Sequence, residues 1–537
     1  MSEKQNIIIV NNVKLPINAS HKEAFIVARR KLASIGISVK DSDCYIHRKS
    51  VDARRKNDIF FVYSVAVRVS HLPPEDKLRD KGMAALLSGV VTPDISDSMI
   101  SAPPVVVGTG PCGLFAALIL AENGYNPIVL ERGGTVLQRK NAIRRMKSER
   151  KLDPETNIQF GAGGAGTFSD GKLVTRLNDP MLSYVLSRFV EFGAPEEITY
   201  IAKPHIGTDI LVNVVDKMLS RIEELGGRVL HNTKFLKVNR DGGNVSSVVT
   251  TKGEIKAGAV ILAIGHSARD TYERLINDGF LVEPKPFSVG MRIEHLTESI
   301  DKAMYGDFAG HPALSHAEYA LSHNTKERGV YTFCMCPGGE VVAAASEEGG
   351  VVVNGMSENA RAGRNSNSAV VCSVFREDYG SKPLSAIEFQ RKIERSAFTA
   401  GGSNYSAPII TVSDFLHGSL NKEPCEVLPT YMEGAVKLAR PEAFLPNFTV
   451  NAIKDALIAF DKKIEGFASP NAVLTGAETR TSAPIRILRN PETHLAIGFN
   501  NFYPAGEGAG YAGGISSAAI DGIKTALCLM KEYGPST

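Results

Sequence analysis

Apolar positions change period several times within the first seventy residues. Residues 7–10, Ile-Ile-Ile-Val, form an unbroken apolar run of strand length. From His21 to Gly36 the apolar positions recur every three or four residues, the period of an amphipathic helix. Ser20 stands where an N-cap belongs and Gly36 where a C-cap belongs. Residues 44–47 and 59–69 return to strand-like patterning. This βαββ order predicts a small ferredoxin-like α/β domain ending near residue 70. Residues 70–102 contain Pro73-Pro74 and lead into Pro103-Pro104, so they read as a connector with one short helix. Domain and connector together span 1–95.

Beyond Pro104 the pattern alternates strand and helix. Apolar runs at 105–107 and 128–130 flank a helical stretch, and 209–225 has helical apolar spacing. Strand-like runs then pass through Val238 and 245–249 to a returning strand at 256–264. From Pro284 to about Ala468 the chain mixes strands (331–335, 341–345) with helices (384–397, 451–462). A glycine-rich run at 501–515 precedes a helix at 516–530. The predicted fold class is α/β: a Rossmann-type nucleotide-binding domain split in sequence (104–283 and 469–537), with an inserted α+β substrate domain (284–468). The sequence shows no internal repeat.

The candidate chemistry begins at the first split-domain strand. Gly108-x-Gly110-x-x-Gly113 follows an apolar run and opens a helix, and Glu131 ends the next run. That is the dinucleotide fingerprint in its expected context. Gly108 permits a tight turn, Gly110 a close backbone approach to a diphosphate, and Gly113 close packing of helix on strand. Pro111 suits the first helical position. The helix N-terminus offers unpaired N–H groups to phosphates, and Glu131 is placed to accept ribose hydroxyls.

Several strings resemble known flavoproteins. Arg132-Gly133-Gly134 after Glu131, and Gly506-Glu507 before Gly513-Gly514-Ile515, are similar to the layout of the glutathione-reductase superfamily. There, a Gly-acid pair reaches the ribityl chain and the following helix points its N-terminus at the flavin pyrimidine. Ala263-Ile-Gly265-His266 resembles the returning strand of such proteins, with Ile264 where Thr is usual. More closely, the chain resembles a group of uncharacterised NAD(FAD)-utilising dehydrogenases over nearly its full length. That resemblance rests on residues 160–173, 263–270, 289–295, 336–339 and 503–515. It implies the split fold and FAD, and it implies no substrate.

Gly161 to Gly166, with Thr167, is too glycine-dense for ordinary packing; Gly163, Gly164 and Thr167 are expected against the flavin, with Phe168 covering a ring face. Lys172 is the candidate for stabilising negative charge on a reduced ring. His266 is a candidate acid–base or hydrogen-bonding group, because its ordinary pKa suits neutral pH. Arg480 is the candidate anion-binding residue. Arg292 and Glu294 share a strand face and are expected to pair. In Cys334-Met-Cys336, a regular strand would strain a disulfide, so a single reactive Cys336 is favoured over a redox pair. Cys112 is the lone cysteine of the first glycine loop. His311, His316 and His323 lack accompanying carboxylates, so no metal site is expected.

Charge sharpens this picture modestly. The net charge is +3, yet residues 1–95 hold sixteen Lys or Arg against ten Asp or Glu. A basic domain suggests nucleic acid, but no stacking-aromatic motif is interleaved, and a solvated basic face is the plainer reading. Seven scattered cysteines do not form a disulfide framework, no run of eighteen apolar residues occurs, and the first residues lack a signal-peptide core. The expectation is a cytoplasmic FAD oxidoreductase that passes hydride through flavin N5 to or from a small organic substrate. Only one nucleotide fingerprint is present, so NAD(P)H as donor would bind transiently in the substrate cleft. The alternatives are an oxidase or monooxygenase, or a redox-sensing FAD protein whose N-terminal domain contacts RNA or a protein. The oligomeric state has no sequence signature.

Overall fold

The computed structural model describes residues 6–56, 58–85, 92–175, 177, 179–325 and 328–536. The fold is mixed α/β, and the chain divides into two compact units. The first comprises Met1–Val91, Asn178–His205 and Glu298–Ala317. Its sheet has the order Cys44–Asp52, Phe60–Arg68, Ile7–Pro16, Met83–Ala85, antiparallel throughout. Helix His21–Ala33 buries Ala24, Ala28 and Leu32, and the Glu23 carboxylate accepts the Ser20 N–H at 2.7 Å. The short helix expected in the connector is Glu75–Arg79. What the pattern missed is the strand after it: Met83–Ala85 pairs with Ile8–Val10 and completes a β-α-β-β-α-β order. The domain therefore does not end near residue 70. Three residues are too few to show a period. Lys49 also exchanges backbone hydrogen bonds with Tyr200 (2.7 Å) and Ala202 (2.8 Å). Segments that the sequence assigns to the nucleotide and substrate domains thus pack with the first unit.

The second unit is built on a five-stranded parallel sheet. Its order is Phe502–Pro504, Val260–Leu262, Val105–Val107, Ile128–Leu130, Arg228–Leu230. The three inner strands are buried at every position, which is why they read as plain apolar runs rather than alternating ones. Helix Pro111–Glu122 is buried from Cys112 to Ala121, so it too is apolar all round. It lies against helix Ile515–Glu532 across a glycine: a Cβ on Gly522 would sit 2.1 Å from the Cys112 carbonyl oxygen. On its other side, a Cβ on Gly113 would sit 1.9 Å from the Gly108 carbonyl oxygen. These two contacts bring the C-terminal helix, the glycine loop and the sheet into register from opposite ends of the chain. A three-stranded meander (Phe235–Asp241, Asn244–Thr250, Gly253–Lys256) packs beside the parallel sheet.

The segment from Phe287 onward forms a seven-stranded sheet. Its order is Ser322–Asn324, Gly329–Cys336, Asn365–Val374, Phe287–Leu296, Val473–Glu478, Ala407–Thr411, Val436–Leu438. Helices Ser385–Ala400 and Asn447–Asp461 pack on it. Among the described residues no helix is long and apolar enough to cross a membrane.

The Gly522 contact is testable. Gly522→Ala forces a methyl into backbone, and overpacking of this kind costs about 1–3 kcal/mol. Urea denaturation should show a lower midpoint with an unchanged slope; an unchanged midpoint would mean that the two helices are not held at this distance.

Candidate functional site

Glycine spacing, helix ends and one carboxylate meet at a single cavity of about 340 Å³ in the second unit. Its floor is backbone. Gly108 has φ +103, and a Cβ there would lie 2.3 Å from the Ala263 carbonyl oxygen. A Cβ on Gly164 would lie 2.8 Å from the Gly110 Cα. On Gly265, Gly513 or Gly514, by contrast, a Cβ would meet nothing within 4 Å. Helix Pro111–Glu122 starts at Gly110, and helix Ile515–Glu532 starts at Gly514; both starts line the cavity, and neither helix has an acidic residue in its first turn. Two positive dipole ends therefore face one space. The Nε2 of His266, which lines the same space, is buried without a hydrogen-bond partner. These features fit a ligand carrying a diphosphate and a flat polar ring, as FAD does.

Glu131 ends its strand at the cavity and is 4% exposed. Its Oε1 accepts the Gly133 N–H (2.8 Å) and the Gly161 N–H (3.0 Å); its Oε2 accepts the Thr109 N–H (3.2 Å) and the Thr109 hydroxyl. The fingerprint acid thus also clasps three loops together, a role that spacing alone does not reveal. Arg132 lines the cavity over the Phe160 ring and is held by Glu155 (2.8 Å) and Asp270 (3.0 Å). Lys234 joins the same pair of carboxylates.

Of the expected cofactor residues, Gly108, Gly110, Pro111, Glu131, Arg132, Gly164, Gly265, Glu507, Gly513, Gly514 and Ile515 line the cavity. Gly113, Gly163, Thr167 and Gly506 lie behind its wall. Gly113 is there for packing. A Cβ on Gly163 would lie 2.0 Å from the Thr167 Oγ1, so those two face each other rather than a ligand. Gly506 donates its N–H to Asp521 at 2.7 Å. Phe168 does not cover the cavity; its ring lies under the Arg139 guanidinium (4.6 Å) in a small apolar cluster. Phe160, Phe235 and Phe333 supply the aromatic lining instead.

Lys172 lines the cavity beside the second helix start, where the Ser516 hydroxyl donates to the Leu173 carbonyl at 2.8 Å. Its ammonium sits 3.4 Å from Glu318 and 3.6 Å from Asp170. Burial works against its charge, but these two carboxylates outweigh it and the pKa is raised. Asp170 is fully buried and also takes a two-point contact from Arg361.

Four expectations are corrected here. His266 is not poised at neutral pH: burial, then the nearby Arg480 and Arg269 cations, lower its pKa to about 3, so it is a neutral imidazole. Arg480 lines the cavity, but it is already engaged by Glu394 (3.2 Å) and the Ser346 hydroxyl (2.5 Å). Arg292 does not pair with Glu294; it makes a two-point contact with Glu478 (2.9 and 3.0 Å), while Glu294 accepts from Thr430 and Asn365. Cys336 is fully buried and off the cavity, while Cys334 and Cys112 are the cysteines in its wall.

Two residues escaped the sequence reading. Glu394 is 2% exposed and bridges Arg269 (2.7 Å) and Arg480. Burial alone would raise its pKa, but the two arginines hold the carboxyl well below the usual range. Cys334 was passed over for Cys336. Glu507 was anticipated, but not its state: burial pushes it up to about 7, against a weaker pull from Lys285. His266 Nδ1 lies 3.7 Å from the Glu507 carboxylate.

The chain is 44% identical to an uncharacterised protein of Clostridium beijerinckii (strain ATCC 51743 / NCIMB 8052), over 98% of this chain and 99% of that one. Residues 286–481 match the family described as FAD-dependent protein, C-terminal domain-like, and residues 7–68 match a domain of unknown function. Solved structures resemble it distantly. CtdE in complex with FAD is 13% identical with TM-score 0.32, covering 80% of this chain and 84% of that one. Glycine oxidase from Bacillus cereus ATCC 14579 is 10% identical with TM-score 0.35, covering 80% and 98%. These scores are too low to bear on this chain's chemistry.

His266 and Glu507 give opposite pH signatures. His266 binds no proton in the folded state until about pH 3, so its contribution to stability is lost as pH falls below the unfolded value near 6.5. Glu507 keeps its proton to about pH 7, so its contribution is lost as pH rises from about 4.5 through 7. Between about pH 4.5 and 6.5 the two oppose each other. Relative to the parent, His266→Gln should make stability fall more steeply with rising pH in that window, and Glu507→Gln should make it rise. Each slope change is on the order of 1 kcal/mol per pH unit. Urea titrations at half-unit pH steps measure both; parallel curves for all three proteins would contradict the assignment.

Proposed function

The chain belongs to one family with the uncharacterised Clostridium beijerinckii protein, and we propose that it is an FAD-dependent oxidoreductase of a small organic substrate. The observation that carries this reading is the meeting, at one cavity, of two acid-free helix N-termini and the carboxylate ending the second nucleotide strand. The match of residues 286–481 to a family described as FAD-dependent supports it. So does the split order of the parallel sheet, which is the layout expected of the glutathione-reductase type.

When bound, FAD supplies a two-electron hydride acceptor and donor at N5. The chain does the rest. Glu131 and Thr109 hold the adenosine ribose. The Gly110 and Pro111 helix start binds the diphosphate, and Gly513, Gly514 and Ile515 present the second helix start to the flavin pyrimidine. Lys172, kept protonated by Asp170 and Glu318, stabilises negative charge developing beside that helix start. His266, neutral, would offer its unpartnered Nε2 to the ligand at the rim. The cations on the cavity wall favour an anionic organic substrate. The seven cysteines are all free, which fits a reducing cytoplasm. The N-terminal unit holds the chain's basic surplus. Its cations cover its own aromatics (Lys14 over Phe60 at 3.9 Å, Lys49 over Phe61 at 4.0 Å), so we keep the solvated-surface reading over a nucleic-acid one.

The purified protein should carry flavin absorbance that dithionite bleaches under anaerobic conditions. Bleaching by NADPH or NADH makes a nicotinamide the donor; bleaching by dithionite alone makes the organic substrate the donor. A colourless protein that takes up no FAD overturns the reading. Gly514→Asp tests the second helix start, because φ there is extended and the space is open. The added charge should weaken FAD binding by roughly tenfold, about 1.4 kcal/mol, with the melting temperature of the FAD-free protein unchanged.

A further inference from the structure

Cys334 and Cys336 lie on the strand Gly329–Cys336, which pairs with Asn365–Val374. Phe333 is opposite Ala369 and Cys336 is opposite Asn367. Two residues, Cys334 and Met335, therefore face Ser368 alone, which makes a β-bulge. At this bulge Cys334 has φ +44, a left-handed backbone that glycine adopts freely and other side chains adopt at a cost of about 1–2 kcal/mol. Glycine would relieve that strain, yet a thiol stands there. The expectation of a strained disulfide rests on the separation of these two residues in a regular strand, and the bulge makes the strand irregular between them. Cys334 lines the cavity, while Cys336 is buried behind it. The Cys336 Sγ lies 3.4 Å from the Cys334 carbonyl oxygen, and a separate hydrogen bond joins the two thiols. Arg292 donates to that same carbonyl at 3.0 Å, and Lys172 lines the same cavity.

We propose that Cys334 and Cys336 are a dithiol–disulfide couple that reduces a small, carboxylate-bearing disulfide entering the cavity, with Cys334 attacking and Cys336 resolving. The Cys334 thiolate attacks one sulfur of the small disulfide; a mixed disulfide forms on Cys334 and one small thiolate leaves. Cys336 then loses its proton and attacks Cys334 Sγ; the Cys334–Cys336 bond forms and the second small thiolate leaves. The protein dithiol is oxidised by two electrons, the small disulfide is reduced by two, and the two thiol protons pass to the two small thiols. The division of labour follows the environment. The hydrogen bond from Cys336 draws the Cys334 thiol down, burial opposes this, and Arg292 and Lys172 draw it down further. The same bond, together with burial, pushes Cys336 up. The cavity cations select the charge of the disulfide. The couple needs only the two thiols, so it stands or falls apart from the FAD reading.

The test uses the FAD-loaded protein in a Cys425→Ser/Cys528→Ser background, which removes thiols at the exposed and half-buried sites away from the cavity. The probe is 5,5′-dithiobis(2-nitrobenzoate). The background protein should release about two equivalents of small thiol per chain, and peptide mass mapping should find Cys334 linked to Cys336. Adding Cys336→Ser should halve the release and leave a mixed disulfide on Cys334; adding Cys334→Ser should abolish the fast release. The cationic disulfide cystamine should react roughly tenfold more slowly at low salt. Fast release persisting in the Cys334→Ser protein overturns the proposal. So does a background protein that stops at a mixed disulfide, or one whose Cys334 is recovered unmodified. If either variant fails to fold, mapping of the background protein alone decides between these outcomes.

Discussion

One buried carboxylate holds the cavity wall together. Glu394, on helix Ser385–Ala400, accepts both ends of the Arg269 guanidinium and also bonds Arg480 and the Thr479 hydroxyl. Arg269 starts the helix after the returning strand, and Arg480 follows the strand Val473–Glu478. A single charge therefore ties the nucleotide half to the sheet that covers it. Removing one member of such a group leaves uncompensated charge in the interior, which is why buried networks of this kind behave as all or nothing. The consequence reaches His266: burial first, and then the same two arginines, keep its imidazole neutral. The acid–base state of the cavity rim is thus a by-product of structural pairing.

The cation count on the cavity wall overstates its free charge. Arg132 and Lys234 share Glu155 and Asp270, Lys172 shares Asp170 and Glu318 with Arg361, and Arg480 leans on Glu394. Each is oriented by carboxylates behind it, so its position is fixed before any ligand arrives. The two helix starts add their positive potential to that of these held cations. A diphosphate therefore meets backbone and side chains together.

The legible part of this molecule was the part whose constraints are local in sequence. Gly108, Gly110 and Gly113 are spaced by the geometry of one turn, and Glu131 by one strand–helix–strand crossover. Each was placed from spacing alone, and the apolar runs of the parallel sheet were equally plain. Strand Met83–Ala85 was missed because three residues carry no period. Glu394 was missed because its helix has an ordinary amphipathic pattern, and its burial depends on Arg269, which is 125 residues away. Cys336 was preferred to Cys334 on the assumption of a regular strand; a bulge leaves no mark in the sequence when its left-handed position is not glycine. The pairing of Arg292 with Glu294 failed for a related reason. Sharing a strand face does not decide between a neighbour on the same strand and Glu478 on the next one.

The two helix starts have a further consequence for how this protein exists at all. Two positive ends that face one cavity repel each other, and the contact through Gly522 prevents them from drifting apart. An anion between them would relieve that repulsion, and a ligand held only by the folded chain stabilises it in proportion to the logarithm of its free concentration. The stability of the polypeptide and the supply of its dinucleotide are then linked: the folded chain becomes harder to unfold as the small molecule becomes more abundant.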